Sequence, residues 1–446
     1  MILNFFDRNK AVTEGSPAVL VSVVTDADDS HEAELSLAEL RRLCETAGAF
    51  PAAEVIQNRH SPDARTVIGS GKLGELSDIC RRLGAALVVF DCELTPSQIR
   101  NIEDGLGEVS VIDRSMLILD IFALHAVTAE GKLQVELAQL KYTAPRLIGR
   151  GSELSRLGGG IGTRGPGESQ LETDRRHIQR RIRSLSEQLA SIGTNRATAR
   201  TARERSGIPR IAIVGYTNAG KSTLLNRLTD AGILAEDKLF ATLDPTTRKY
   251  VLPDGREVLL TDTVGFIRNL PTHLIKAFSS TLEEAVLCDL LLIMVDASDP
   301  DAESQLEITK SLLAELGAAD KPRITIFNKC DLLEGGISAA DAIFAGEGRD
   351  TVFISASGGE GVDSLLSLIS EHLDRSSREI SFLIPNAKSG LVNLIYESGR
   401  VLSVEYGPES VRVDAVCDSR LAGKLAAYAV PRGGSGTHND VSEAGR

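Results

Sequence analysis

Cysteine is scarce in this 446-residue chain, which contains six, and no two of them form a Cys-x-x-Cys pair. Scattered cysteines of this kind suit buried, reduced thiols better than a disulfide framework or a thiolate zinc site, so we expect no metal–thiolate chemistry. The sequence also lacks a run of about 18 apolar residues, which a membrane-spanning helix needs, and it has no basic start followed by a long apolar core. These absences predict a cytoplasmic protein without an integral membrane segment.

Positive charge is unevenly distributed along the chain. The whole sequence has a net charge of -13, whereas residues 141–210 contain 15 Lys or Arg against 6 Asp or Glu, a net of +9. A basic segment in an acidic protein is typical of a surface that binds phosphate groups, although a solvated helical face would have the same composition.

The chain divides into four predicted units and a tail. Strand-like runs (AVLVSVV, TVIGSG, AALVVFD and VSVIDR) alternate with helical patterns in residues 1–125, which predicts a small parallel α/β domain. Long helical periodicity in residues 126–207 predicts an antiparallel helical hairpin. We expect a second α/β domain over residues 208–375, a small α+β domain over 380–431 and a disordered tail over 432–446.

A glycine-rich loop, RLGGGIGTRGPGESQLE, occupies residues 156–172 between the two helical patterns. No helix can cross it, so Arg156 and Arg164 are expected on exposed backbone. A flexible hairpin tip would have this composition, and so would a tip that reaches into a groove lined by phosphates. The basic helical patterns on both sides favour the second interpretation.

The segment IAIVGYTNAGKSTLLNRL, which begins at Ile211, joins an apolar strand, the spacing G-x-x-x-x-G-K-S and a helical run. This context is that of a phosphate-binding loop. Gly215 and Gly220 allow the backbone amides to wrap around phosphates, and the helix start adds a positive dipole end. Lys221 is expected to neutralise the outer phosphates, and the hydroxyl of Ser222 is placed to bind Mg²⁺.

Two further segments have the order of switch regions. DTVG begins at Asp262, whose carboxylate is expected to meet Mg²⁺ through water, while the Gly265 amide donates to the terminal phosphate. FATLDPTTR begins at Phe240, and Thr242 is expected to bind Mg²⁺ only when that phosphate is present. Loss of the phosphate should release both loops.

Two motifs indicate that the base is guanine. Asp331 ends the motif Asn-Lys-Cys-Asp, and its carboxylate can accept from both N1–H and the exocyclic amine of guanine. Adenine would leave it unpaired, a mismatch that can discriminate by roughly 10⁴-fold. The backbone amides of Ser355-Ala356-Ser357 can meet the guanine carbonyl oxygen. In this order, the phosphate loop, the two switch segments and the two guanine motifs predict GTP and GDP binding.

The chain resembles the HflX family of translation-associated GTPases, within the Obg/HflX-like P-loop GTPases. GYTNAGKST, FATLDPTTR, DTVGFIRNLP and NKCD are similar to that family's nucleotide motifs, and GGGIGTRGPGESQLETDRR is similar to its signature loop. The resemblance covers essentially the whole chain. It implies a GTPase that binds the large (50S) ribosomal subunit and splits ribosomes into subunits, particularly under stress. We assign the contact with ribosomal RNA to the basic residues 141–210 and expect a monomer.

No glutamine follows the DTVG motif, although many switch GTPases use one there to orient the attacking water. Phe266 occupies that position and cannot transfer a proton. We therefore predict slow hydrolysis by the isolated protein and stimulation by ribosomes. In similar GTPases an asparagine at the place of Asn218 binds K⁺, which supplies the charge of an arginine finger; the alternative is that Asn218 only stabilises the loop.

The residues that we predict to surround the nucleotide come from these motifs. They are Gly215, Tyr216, Thr217, Asn218, Ala219, Gly220, Lys221, Ser222, Phe240, Ala241, Thr242, Leu243, Asp244, Asp262, Thr263, Val264, Gly265, Asn328, Lys329, Cys330, Asp331, Ser355, Ala356 and Ser357. Catalysis is assigned to Lys221, Thr242, Gly265 and Asn218, and direct Mg²⁺ ligation to Ser222 and Thr242.

A second Gly-x-Gly-Lys occurs in TVIGSGKLGEL, which begins at Thr66. It lacks the phosphate-loop spacing, and Leu73 follows the lysine where Ser or Thr is required, so a tight turn into a helix is favoured. Because the resembled family has been associated with an ATP-linked activity, an ATP site around Lys72 stays as a hypothesis.

Three alternative functions can be weighed against the motifs of this sequence. A ribosome-assembly GTPase would use the same site at a different moment, so the sequence does not separate it from a splitting factor. An ATP-dependent RNA remodeller or helicase using the N-terminal domain lacks paired motor motifs. A ribosome-silencing protein with a vestigial nucleotide site conflicts with the intact Lys221, Ser222, Thr242 and Asp262.

Overall fold

The fold is described by a computed structural model. Its described residues are 15–25, 30–147, 175–193, 208–229, 239–240, 243–271, 274–275, 279–346, 348–375 and 377–430. The loop with Arg156 and Arg164, the residues Ala241 and Thr242, and the tail 432–446 lie outside them.

The N-terminal domain is built on a four-stranded parallel sheet with the order β2-β1-β3-β4. Its strands are β1 (Pro17–Thr25), β2 (Phe50–Arg59), β3 (Leu87–Phe90) and β4 (Ser110–Asp113). Its helices are α1 (Ser30–Thr46), α2 (Ser70–Leu83), α3 (Pro96–Leu106) and α4 (Arg114–His125). Local sequence sets the helix starts, since Thr95 and Gln98 form a capping box on α3 and Asp113 accepts from Met116 N at the start of α4.

The strand predicted at TVIGSG is wrong. Asp63 and Val67 exchange two backbone hydrogen bonds of 2.8 and 2.9 Å there, which close a turn, and helix α2 begins at Ser70. The second strand of the sheet is instead β2. Polar side chains interrupt its apolar pattern because β2 lies at the edge of the sheet, where part of its surface faces solvent.

Two long helices follow, α5 (Ala129–Leu147) and α6 (residues 175–193). They contact each other through Arg181, whose Nε donates to Glu136 Oε1 over 2.7 Å. Helix α6 is mostly exposed and buries Leu185.

The central domain has a six-stranded sheet of order β10-β9-β8-β5-β7-β6, parallel except for β6. Its strands are β5 (Arg210–Gly215), β6 (Thr246–Val251), β7 (Glu257–Asp262), β8 (Leu290–Asp296), β9 (Arg323–Asn328) and β10 (Thr351–Phe353). Its helices are α7 (Lys221–Thr229), α8 (Ser279–Leu287), α9 (Ala302–Glu315), α10 (Gly336–Ile343) and α11 (Val362–Arg375).

Alternating residues of β5 face two separate cores. Ile211 and Ile213 pack into one apolar cluster with α7 and α11. Ala212 and Val214 face the other cluster, which also contains residues of α8 and α9 and extends without a break into the N-terminal domain, where it includes Met116. The N-terminal domain and the central domain therefore share a core.

The C-terminal unit is a four-stranded antiparallel sheet of order β12-β13-β11-β14 with small helices. Its elements are β11 (Ser377–Pro385), α12 (Gly390–Ser398), β12 (Arg400–Tyr406), β13 (Ser410–Asp418), α13 (Ser419–Lys424) and β14 (Ala429–Val430). The three sheets confirm the predicted fold class, and the exact boundaries between units stay predictions.

Five of the six cysteines are buried free thiols, as expected, and Cys92 is exposed. Among the described residues, no helix combines the length and the apolar character that crossing a lipid bilayer requires.

Candidate functional site

The loop between β5 and α7 has backbone angles that require glycine at the two glycine positions of the phosphate-loop motif. Gly215 and Gly220 have φ of 145° and 97°. A Cβ at Gly215 would collide with the carbonyl oxygen of Met294, and one at Gly220 would collide with the amide of Asn328. The loop thus passes directly against the ends of the neighbouring strands.

Lys221 begins α7 and lies across this loop. Its Nζ donates to the carbonyl oxygens of Gly215 (3.2 Å) and Tyr216 (2.7 Å). Burial lowers the pKa of Lys221 to about 8, and the nearby Asp262 carboxylate opposes this shift. An incoming phosphate would meet a pre-positioned ammonium group that has given up most of its water.

Ser222 and Asp262 form an oxygen-rich pair beside the loop. The Ser222 hydroxyl donates to Asp262 Oδ2 over 2.6 Å, and Asp262 is fully buried at the end of β7. A hydroxyl oxygen and a carboxylate side by side suit a hard divalent cation such as Mg²⁺. The donor set therefore fits the metal that the motif predicts.

The DTVG segment comes very close to the phosphate loop. A Cβ added at Gly265 would lie 2.8 Å from the Cα of Thr217 and 3.0 Å from Nζ of Lys221. Phe266 donates its N–H to Gly215 O (3.0 Å) and accepts at its carbonyl from Thr217 N (2.8 Å). Its side chain is 1% exposed, so Phe266 is a core residue that locks the two segments together.

Asn328 connects the phosphate loop to the predicted guanine motifs. Its Nδ2 donates to Ala219 O and its Oδ1 accepts from Ala356 N, both over 2.8 Å. Lys329 has a left-handed backbone and pairs with Asp296 over 2.6 Å. The Asp331 side chain is exposed and available to a base. Asn328 thus acts as a buried clamp between the two ends of the site.

The Ser355–Ser357 loop is closed by its own side chains. Ser355 Oγ lies 3.2 Å from Ser357 Oγ and accepts from Gly358 N over 3.0 Å.

The first switch segment contacts the N-terminal domain on both sides of the two residues that the structure does not describe. Phe240 is buried and packs edge-on against Phe122 of α4, with ring centroids 4.8 Å apart. Asp244 accepts from Val127 N (2.9 Å), Thr128 N (2.8 Å) and Thr128 Oγ1 (2.5 Å). Thr128 in turn accepts from Gly131 N and caps α5, so the switch segment binds the start of a hairpin helix.

A buried polar cluster that sequence reasoning missed joins the phosphate loop to the N-terminal domain. The Tyr216 hydroxyl donates to Glu39 of α1 and accepts from Arg268 N over 2.6 Å. Arg114, the first residue of α4, pairs with Glu39 and Asp91 and donates to Arg268 O over 3.0 Å. The phosphate-loop motif contains Tyr216, whereas Glu39, Arg114 and Arg268 belong to no local motif.

The ionic character of this cluster depends on mutual pairing. Burial raises the pKa of Glu39, although Arg114 and the Tyr216 hydroxyl oppose the shift. Burial opposes the charge on Arg114, yet Glu39 and Asp91 keep its pKa raised overall. Removing one partner would therefore leave a buried charge without compensation.

Lys72, the lysine of the second glycine-rich turn, is far less constrained. It lies in the first turn of α2 and pairs with Glu75 over 2.8 Å. The hypothesis of an ATP site there gains no supporting cluster of side chains and stays a hypothesis.

These features together define a P-loop GTPase. They are the phosphate loop, the buried Lys221, the Ser222–Asp262 pair and the base motifs joined by Asn328, and they lie at one edge of a mostly parallel sheet. Three family models match the chain: GTP-binding GTPase N-terminal over residues 34–123, GTP-binding GTPase Middle Region over 125–203, and 50S ribosome-binding GTPase over 210–329.

Among curated relatives, GTPase HflX of Lacrimispora saccharolytica is 50% identical over 408 residues, which is 92% of this chain and 95% of that protein. GTPase HflX of Escherichia coli K12 is 41% identical over 88% of this chain and 90% of that protein. A GTP-binding protein from Sulfolobus solfataricus in complex with GDP is 26% identical, covering 81% and 99% of the two chains with a TM-score of 0.41. The chain belongs to the HflX family of GTPases, and it hydrolyses GTP to GDP and phosphate.

Proposed function

We propose that this GTPase binds the large (50S) ribosomal subunit in the cytoplasm and splits ribosomes into subunits, particularly under stress. The observation that carries the proposal is the match of residues 210–329 to a model described as a 50S ribosome-binding GTPase, in a chain that also matches the N-terminal and middle models. GTP would act as the timer, and the hairpin would act on ribosomal RNA.

The exposed surface of α6 supports an RNA contact. Five arginines (175, 176, 180, 181 and 183) and a single acid, Glu187, occur in residues 175–193, and all five arginines are exposed. Exposed arginines at this density bind phosphates electrostatically and sequence-independently, so affinity should fall steeply with salt.

In the nucleotide site, Lys221 would neutralise the outer phosphates and the backbone amides of the 215–220 loop would cradle them. Ser222 and Thr242 would bind Mg²⁺, with Asp262 acting through water. When bound, the metal would offset phosphate charge. Gly265 would donate its amide to the terminal phosphate, and Asp331 would select guanine.

The contacts between switch segments and the N-terminal domain support a mechanical role for GTP. Asp244 holds the start of α5, and Arg268 beyond the DTVG motif is held by Tyr216 and Arg114. Movement of either switch on hydrolysis would change how the N-terminal domain and the hairpin are held.

Sedimentation of intact ribosomes tests the proposal. Full-length protein with GTP should convert them to free subunits, and a variant lacking residues 156–170 should hydrolyse GTP without splitting. An Arg156→Ala, Arg164→Ala double variant is the matched control for loop length. Intact ribosomes with the full-length protein and GTP would contradict splitting, and accumulation of precursor subunits in cells without the protein would then favour the assembly role.

Slow hydrolysis by the free protein is part of the proposal, because Phe266 is a core residue and offers no group to orient water. Ribosomes should stimulate the rate by ordering the switches. Replacement of K⁺ by Na⁺ tests the ion hypothesis at Asn218: a slower rate supports a bound K⁺, and an unchanged rate removes it.

A further inference from the structure

A cleft of about 610 Å³ lies between the N-terminal domain and the nucleotide site. One wall comes from α1 and includes Arg42 and Glu45. The facing wall includes Asn218 of the phosphate loop together with Lys329 and Asp296 of the base-binding end. The cleft therefore spans the distance between the predicted positions of the base and the phosphates.

Helix α1 is fixed against the phosphate loop by Glu39. This carboxylate accepts from the hydroxyl of Tyr216, the residue next to Gly215, and it pairs with the buried Arg114. Residues three apart in a helix lie on the same face, so Arg42 projects from α1 one turn beyond this anchor. The position of Arg42 beside the nucleotide site is thus set by a buried contact.

The positively charged side chains in and next to the cleft differ in whether an acidic side chain already pairs with them. Lys329 pairs with Asp296 over 2.6 Å, and Arg41, the neighbour of Arg42 in sequence, pairs with Glu54 over 2.5 Å. Arg42 is exposed, and its guanidinium has no ion-pair partner within the part of the chain that the structure describes. Its charge is available to an anion in the cleft.

We propose that Arg42 contacts the phosphate groups of the bound guanine nucleotide and stabilises the negative charge that develops on them during hydrolysis. The GTPase site would then be assembled from two domains, with a catalytic arginine supplied in cis by the N-terminal domain. A guanidinium suits this role because it stays protonated and offers paired donors to phosphate oxygens.

This assignment supplies a charged side chain to a site in which position 266 has none. Phe266 lies in the core, so the residue directly after DTVG brings no polar side chain to the reaction. A cation that meets the developing charge can compensate, since removal of one such donor typically costs on the order of 10²-fold in kcat. Arg42 would stand on the Asn218 side of the phosphates, where a bound K⁺ is the alternative source of positive charge.

Single-turnover hydrolysis of GTP by full-length Arg42→Ala, Arg42→Lys and Arg41→Ala variants tests the proposal. At saturating GTP, Arg42→Ala should lower the rate on the order of 10²-fold, and Arg42→Lys should recover only part of it. Millimolar guanidinium chloride should partly restore Arg42→Ala by filling the vacated position. Arg41→Ala has the same loss of charge one residue away and should match the wild type.

Thermal melting accompanies each assay, because an exposed side chain should leave the melting temperature unchanged. A wild-type rate in Arg42→Ala would overturn the proposal. An equal loss in Arg41→Ala and Arg42→Ala would also overturn it, since that result indicates a general electrostatic effect. GDP affinity of the wild type, measured in parallel, separates these results from a failure of nucleotide binding itself.

Discussion

The turn at Gly69–Lys72 and the loop at Gly215–Lys221 both bring glycines and a lysine to the start of a helix. In the first, Lys72 lies at the surface and pairs with Glu75 in its own helix. In the second, Lys221 is 6% exposed and bonds to two carbonyl oxygens of the loop. The difference lies in what bonds to each turn: Phe266 and Asn328 bond to the second, whereas in the first the Gly69 N–H donates to the side chain of Gln57 over 2.9 Å.

Replacing each lysine by alanine should give the largest contrast. Lys221→Ala should weaken GTP binding by about 10² to 10³-fold, because a buried charge is removed from the phosphates. Lys72→Ala should bind GTP as the wild type does. Calorimetric titration with GTP and ATP measures both, and loss of ATP binding in Lys72→Ala alone would instead support a second nucleotide site in the N-terminal domain.

Replacing one glycine near each lysine by alanine compares the space around the backbone at the two sites. Gly265→Ala forces a contact with Thr217 and Lys221 and should lower the hydrolysis rate on the order of 10²-fold. Gly74 in α2 has open space around it, so Gly74→Ala should raise the free energy of unfolding by roughly 0.5–1 kcal/mol. Rate assays and urea unfolding check the pair, and normal hydrolysis by Gly265→Ala would refute the close approach.

Removing a tyrosine hydroxyl should separate domain coupling from simple stability. Tyr216→Phe deprives Glu39 of a donor and should cost about 1–3 kcal/mol. Tyr142→Phe removes a comparable bond to Asp113 within the N-terminal region and serves as the control. Both should lower unfolding stability, but only Tyr216→Phe should change GTP hydrolysis; equal hydrolysis in the two variants would argue against coupling through Glu39.

A smaller effect concerns the pH dependence of stability, which follows from the protonation of Lys221. The pKa of Lys221 is about 8 in the folded protein without nucleotide, against 10.5 ordinarily. Between these values the unfolded chain holds a proton that the folded chain lacks, so stability rises with pH in that window and this gain is lost as pH falls through 8.

Bound phosphates should restore the proton to Lys221. GTP binding at pH 8 should therefore take up about half a proton. Calorimetry in two buffers of different ionisation enthalpy measures the uptake, and Lys72→Ala should leave it unchanged. No uptake in the wild type would mean that Lys221 is already protonated before the nucleotide arrives.

Local patterns were sufficient to predict the fold class and the strand–loop–helix that leads to Lys221, because a phosphate loop combines fixed spacing with a strand and a helix of definite pattern. They failed at β2, where an edge strand carries polar residues and Pro51 near its start, whereas the apolar run at Val67 and Ile68 resembles a strand and forms a turn. They also missed Glu39, Arg114 and Arg268. Those residues come together only through tertiary packing between domains, which leaves no short-range signature.

The hydrogen bonds from Thr128 and Val127 to Asp244 connect the predicted first switch segment to the beginning of α5. Starting a helix is the costly step in forming it, since several residues must be ordered before the first internal bond is made. Any displacement of residue 244 during the reaction cycle would loosen the point from which α5 is nucleated. Asp244 thus contributes both to the switch segment and to the start of α5. A substitution there that leaves GTP hydrolysis unchanged would still destabilise the first turn of α5.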